Sequence, residues 1–270
     1  MKPNYLRVIS VLALTVLVSL AAASLAQAQF VAIDTFEKGK LGPLDGQNGW
    51  TSKAGTHDKA HCYSKENANG EAGCDANASR VEIAVDPTDP NNHVLQYSAK
   101  AETVHTYKAI NIPNSNTAAT LFFRVRRTGE VNMNWGTSDV AVPKDWPDYE
   151  VQLNMQIVDT DKLRVRDGNR LVEAAPFEAN TWYKTWFVIN NAEDTYEVLV
   201  QGGASPKMTQ LSVGGKTKFT FRNGSAANDL VNIFLRTTPP HTADFQFDDI
   251  YLDTSSRNLS DPTGGASARR

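Results

Sequence analysis

The stretch Tyr149-Glu150-Val151-Gln152-Leu153-Asn154-Met155-Gln156-Ile157 decides the fold. Its odd positions, Tyr149, Val151, Leu153, Met155 and Ile157, are apolar, and its even positions, Glu150, Gln152, Asn154 and Gln156, are polar. Side chains alternate across a strand, so a period of two gives one face to a core and leaves the other as a row of amides. The pattern recurs where Leu121, Phe123 and Val125 alternate with Arg124 and Arg126. It recurs again where Val231, Ile233 and Leu235 alternate with Asn232 and Arg236. Beyond residue 28, no segment sustains apolar residues at i, i+3, i+4 and i+7 over three turns, as a helix with a buried face requires.

Working outward, strands are expected at 80–85, 94–100, 107–112, 120–126, 149–158, 163–165, 170–172, 182–189, 195–200, 219–221, 231–236 and 244–253. Turn chemistry separates them. Asp86-Pro87-Thr88-Asp89-Pro90-Asn91-Asn92 and Asn190-Asn191-Ala192-Glu193-Asp194 stop strands, and Asp167-Gly168-Asn169 supplies positive-φ positions for a hairpin. About a dozen short strands with Pro and Gly between them predict an all-β sandwich or jelly roll, a single domain over residues 29–253. No fixed repeat suggests a propeller or solenoid. Residues 254–270, rich in Ser and Gly and ending in Arg-Arg, read as a disordered tail.

Residues 1–28 have the form of a signal peptide. Lys2 and Arg7 precede an apolar run over 8–20, and Ala26-Gln27-Ala28 offers a small-x-small cleavage site. The run is shorter than the roughly 18–20 apolar residues of a membrane span. The expected location is therefore secreted or periplasmic, with no membrane span. The leader carries two of the 27 basic residues and none of the 30 acidic ones, so the remainder has 25 against 30, a balance of −5. That balance argues against nucleic acid as a partner. Cys62 and Cys74 flank an Asn/Gly-rich loop, and in an oxidising compartment such a pair reads as a disulfide. A metal site with His57 and His61 is the alternative, but the spacing lacks the tight ligand pair of zinc sites.

Two segments at the ends of the domain carry a resemblance. Asp34-Thr35-Phe36-Glu37 and Gly42-Pro43-Leu44-Asp45-Gly46-Gln47-Asn48-Gly49-Trp50 stand near its start, and Phe245-Gln246-Phe247-Asp248-Asp249-Ile250-Tyr251-Leu252-Asp253 closes it. This pairing resembles the concanavalin A-like (laminin G-like) jelly-roll superfamily of secreted bacterial proteins. The resemblance implies a concave sheet face able to hold an extended polysaccharide or oligosaccharide. It also implies a structural Ca²⁺ where the first and last strands meet, with Asp34, Glu37, Asp248 and Asp249 as oxygen donors. The superfamily includes carbohydrate-binding modules, glycoside hydrolases and polysaccharide lyases, so fold alone does not choose among them.

The candidate glycan contacts are Arg124, Arg126, Gln152, Asn154, Gln156 and Arg236, whose amides and guanidinium groups suit hydroxyls and carboxylates. Trp135 and Trp146, in Asn132-Met133-Asn134-Trp135-Gly136 and Asp145-Trp146-Pro147-Asp148, read as loop aromatics able to stack on sugar rings. Trp182 and Trp186, four apart, share one strand face and read as core. The Glu-x-Asp-x-x-Glu and Glu-x-Asp-x-Glu motifs of jelly-roll glucanases are missing, and Glu193-Asp194-Thr195-Tyr196-Glu197 is the nearest approach. For a lyase acting on a uronate polymer, His105 and Tyr107 would handle the proton transfers. The Gln-Ile-His of jelly-roll alginate lyases is here Gln156-Ile157-Val158. The expected function is carbohydrate binding. A polysaccharide lyase is the alternative, and a structural or adhesion protein a third.

Overall fold

The computed structural model describes residues 29–54, 79–98, 103–156, 159–224, 228–239 and 243–264. The leader, both cysteines, His57 and His61 lie outside these residues. Seventeen strands are formed among the described residues. The first nine are β1 (Val31–Asp34), β2 (Gly42–Pro43), β3 (Trp50–Ala54), β4 (Arg80–Asp86), β5 (Asp89–Ser98), β6 (Val104–Ile112), β7 (Ala119–Arg127), β8 (Met133–Ser138) and β9 (Val151–Gln156). The others are β10 (Asp159–Asp167), β11 (Arg170–Pro176), β12 (Tyr183–Asn190), β13 (Thr195–Gly202), β14 (Ser205–Gln210), β15 (Phe219–Thr220), β16 (Leu230–Thr237) and β17 (Phe245–Asp253). The single helical element described is a 3-10 turn at Trp146–Asp148, capped reciprocally by Asp145 and Asp148. No helix among the described residues is long and apolar enough to cross a membrane.

Two antiparallel sheets result. One has seven strands in the order β11-β10-β9-β8-β16-β6-β3. The other runs β14-β13-β12-β7-β17-β5-β4-β2, with β1 added on β17 and β15 on β13, ten strands in all. Neighbours that are distant in sequence mark long crossovers, as a jelly roll requires. The sheets meet through their apolar faces. Trp135 and Leu153 from one sheet and Phe123, Phe245 and Phe247 from the other are fully buried between them. The Trp135 ring lies 5.3 Å from Phe245 and 6.2 Å from Phe247. The alternation of Val151, Leu153 and Met155 therefore does what their period predicts.

The ten-stranded sheet has a second apolar cluster on its other face. Phe122, Trp186, Val188, Leu199 and Tyr251 gather there, with Phe30, Met208 and Leu259 packed against them. Trp182 and Trp186 do share a face, but it is this outer one, and Trp186 is buried by chain from beyond β17. Here the structure corrects the expectation of a disordered tail from residue 254. Asp253 gathers Ser255 N at 2.8 Å, Ser255 Oγ at 2.6 Å and Asn258 Nδ2 at 2.9 Å. Trp186 Nε1 donates to Ser260 O at 3.1 Å, and Lys184 pairs with Asp261. Ser and Asn, which made the segment look unstructured, are the residues that make such local turns. Of this last segment, 265–270 lie outside the described residues.

Candidate functional site

The outer face of the seven-stranded sheet is built by register. His105 stands opposite Arg236, Arg236 opposite Asn134, Asn134 opposite Asn154, Asn154 opposite Arg164, and Arg164 opposite Glu173. A single polar row thus crosses six strands, from β6 to β11. A parallel row runs Tyr107, Phe234, Gly136, Gln152. Gly136 belongs there because a Cβ would collide with the Val151 carbonyl. The bare strand leaves room for Tyr149, whose ring stacks on Phe234 at 4.4 Å and whose hydroxyl donates to Asn134 O at 3.0 Å.

The amides of this face are locked to one another. Asn134 Oδ1 accepts from Gln152 Nε2 at 2.5 Å and from Asn154 Nδ2 at 2.8 Å. With its amide nitrogen committed, Gln152 turns Oε1 toward two guanidinium groups. Arg166 Nε donates to it at 2.9 Å and Arg222 Nη2 at 3.3 Å. Trp146 caps this pair, its ring 4.3 Å from the Arg222 guanidinium carbon and 5.7 Å from that of Arg166. Burial and the neighbouring Arg222 charge lower Arg166 to about 10. Several buried atoms of the face have no partner among the described residues: Asn154 Oδ1, Arg166 Nη2, Arg222 Nε and Arg236 Nε. One acceptor and three donors are left over. That mixture suits a hydroxyl-bearing ligand, because a hydroxyl both donates and accepts.

Several predicted contacts come together here. Gln152, Asn154, Gln156 and Arg236 share this face, with His105 and Tyr107 on its β6 side and Trp146 over its β10 side. Others do not. Trp135 is fully buried in β8, pointing into the core, so its assignment as a stacking loop aromatic is corrected. The Asn-x-Asn-x-Gly around it looks like a loop only because outward polar residues alternate with inward Met133 and Trp135. Arg124 and Arg126 point outward from the other sheet. Arg124 Nη1 pairs with Asp248 Oδ2 at 3.1 Å and Asp249 Oδ2 at 2.7 Å, and Arg126 Nη1 donates to Gln246 Oε1 at 3.0 Å. Alternation says that a residue faces out; it does not say from which sheet. Arg124 also stacks on Trp182 at 4.7 Å, beside a cleft of about 410 Å³ that Lys184, Gln201 and Thr263 help to line. Arg166 and Arg222 escaped the sequence reading. The alternation of Leu163 and Val165 with Arg164 and Arg166 could have found the first, but Arg222 follows β15 and has no periodic signal.

The four carboxylates expected to hold Ca²⁺ are not brought together. Asp34 accepts from Phe36 N at 2.9 Å, Trp50 Nε1 at 2.8 Å and Lys108 Nζ at 3.3 Å. Glu37 Oε1 accepts from His93 N at 3.3 Å. Asp248 and Asp249 hold Arg124. Ammonium, indole and guanidinium donors stand where a cation's ligands would need free oxygens, so these residues do not fit the ion. Among the described residues no three His, Cys, Asp or Glu side chains form a group that could hold a metal.

The architecture defines a concanavalin A-like jelly roll, two antiparallel sheets packed face to face. Among solved structures, a sialidase shares the fold. It superposes with a TM-score of 0.51 at 12% identity, over 86% of this chain but only 19% of the sialidase chain. Lectin II from Ulex europaeus gives 0.47 at 8% identity, over 66% of this chain and 91% of the lectin. The catalytic domain of a glycoside hydrolase family 131 protein from Coprinopsis cinerea gives 0.46 at 10%, over 69% and 82%. At 12% identity the likeness to the sialidase is one of fold alone. No protein-family model and no curated protein sequence matches the chain.

Proposed function

We propose that this chain is a secreted carbohydrate-binding protein that receives a polysaccharide on the outer face of its seven-stranded sheet. The observation that carries the reading is the six-strand polar row with its unpartnered acceptor and donors. Unmet hydrogen-bonding atoms in a buried setting each cost about 1–3 kcal/mol, and a ligand that meets them regains it. Trp146, 48% exposed, offers the flat apolar surface on which the C–H face of a sugar ring stacks. The test is retention of the purified protein on polysaccharide gels. Wild type should be retarded by at least one glycan, and Trp146→Ala and Asn154→Ala should each weaken retention by about tenfold. Equal mobility of all three proteins on every glycan would sink the reading.

A second reading draws on His105 opposite Arg236 with Tyr107 two residues along the same strand. In a β-eliminating lyase one group takes the C5 proton of a uronate, the C4–O4 bond breaks, and a second group protonates the departing oxygen as the C4–C5 double bond forms. Ultraviolet absorbance from that double bond, lost in His105→Ala and Tyr107→Phe, would establish it. Retention without absorbance would leave binding alone.

A further inference from the structure

We propose that Arg166 and Arg222 form an anion subsite on this face, taking the carboxylate or sulfate ester of an acidic polysaccharide. The inference rests on the sheet face being the glycan site and adds the class of glycan. The charges of the face are answered unevenly: Arg222 feels the carboxylates of Glu150, Asp145 and Asp148, whereas Arg166 has no such neighbour among the described residues. Arg164 lies 3.9 Å from Glu173, and Arg236 Nη2 lies 2.9 Å from Asp145. Arg166 is 1% exposed and, among the described residues, has no carboxylate within ion-pair distance. Among the described residues its side chain donates to Gln152 Oε1 alone, which Arg222 shares, so a neutral amide oxygen serves two cations. Gln152 cannot turn away, because Nε2 is held by Asn134.

A buried cation without an anion is among the costliest arrangements in a protein interior. An ordered water would answer the unpartnered Arg166 Nη2 as a hydrogen-bond donor but would leave the charge unanswered. An oxyanion answers both, through charge-assisted bonds to planar guanidinium groups. The contrast with the other sheet is instructive. Arg124 is also stacked on a tryptophan, yet two carboxylates hold it, and Lys184 beside it is paired with Asp261. Arg124 is answered by carboxylates without a ligand; Arg166 is not. A sugar substituent, rather than a free ion, is favoured by Trp146. Its indole lies against the two arginines while the residue stays half exposed, so a ring and its charged group can be met together. The chain as a whole is acidic, with a net charge of −3, so attraction for a polyanion has to be local.

Three polymers of galactose-type sugars separate the possibilities: polygalacturonate carries carboxylates, carrageenan carries sulfates, and galactan carries neither. Affinity electrophoresis at fixed low salt should show wild type bound at least about tenfold more tightly to one or both charged polymers than to galactan. Whichever charged polymer is held identifies the group. Arg166→Gln and Arg222→Gln should each weaken binding of the charged polymer about tenfold more than binding of galactan, so that the preference is lost. Arg222, at the edge of the pair, carries the test alone if Arg166→Gln does not fold. Binding of galactan equal to that of the charged polymers, or a preference untouched by both substitutions, would overturn the anion subsite and leave the glycan face standing. Binding to no polymer at all would overturn the glycan face and the subsite together.

Discussion

Asp248 shows how one residue's surroundings reset its chemistry. Consecutive strand residues point to opposite faces, yet Asp248 and Asp249 both reach Arg124. They do so because β17 bulges there. Asp249 has φ of 52°, and the register with β7 slips between Asp248 and Tyr251. Asp248 ends almost wholly buried, with Asn92 Nδ2 at 3.0 Å and the Asp249 carboxylate beside it. Burial first, then the Asp249 charge, push its carboxyl up to about 8 against the opposing pull of Arg124. A carboxyl whose folded value lies above its ordinary 3.8 favours the fold when protonated. Its contribution is full below about pH 4 and is lost as pH rises toward 8. Asp248→Asn, which imitates the protonated form, should therefore be more stable than wild type at pH 8, by ~2–4 kcal/mol, with the difference vanishing near pH 4. Thermal melts of both proteins across that range measure it. A difference that does not change with pH would refute the assignment.

At the scale of elements, the segment beyond β17 acts as a strap. Leu259 packs on the Trp186 cluster, Thr120 Oγ1 donates to Ser256 O at 2.9 Å, and Asn258 N donates to Thr120 Oγ1 at 2.9 Å. Ending the chain at Asp253 would bare Phe122 and Trp186 to water. We expect a loss of about 2–4 kcal/mol, from one buried leucine side chain and the hydrogen bonds that go with it. Denaturant unfolding would show it as a lowered midpoint, and an unchanged midpoint would mean that the strap adds nothing. The same logic explains the opening motif. Asp34 draws in Trp50 and the backbone of Phe36, which itself stacks on Trp50 at 6.2 Å. The aspartates at both ends of the domain are therefore joints between elements.

For the molecule as a whole, the period of two was the legible part. It placed Val151, Leu153 and Met155 in the core and Gln152 and Asn154 outside, and with turn chemistry it led to a sandwich. Strands with little apolar alternation were harder to see. β14 carries Pro206 and Lys207 at a sheet edge, and β2 has only two residues. The candidate site was half visible. Gln152, Asn154, Gln156, Arg236, His105 and Tyr107 converge, while Arg124 and Arg126 lie on the opposite sheet, because periodicity carries no information about strand order. The Arg166–Arg222 pairing was invisible for a related reason. It joins residues 56 positions apart through a glutamine on a third element.

One feature of the topology bears on how the molecule would yield to force. β1 runs antiparallel to the end of β17, with Val31 beside Leu252 and Asp34 beside Ile250. The chain thus enters and leaves this strand pair at the same end. Tension on the two ends would peel the strap from Ser260 and Ser256 inward, then part β1 from β17 one rung at a time. Antiparallel rungs loaded in sequence share no burden, whereas strands pulled lengthwise resist together. Single-molecule stretching from the ends should meet a low, stepwise resistance. A single high-force rupture would show that the load is borne elsewhere. A domain so connected opens from its ends rather than bearing a pull along its chain.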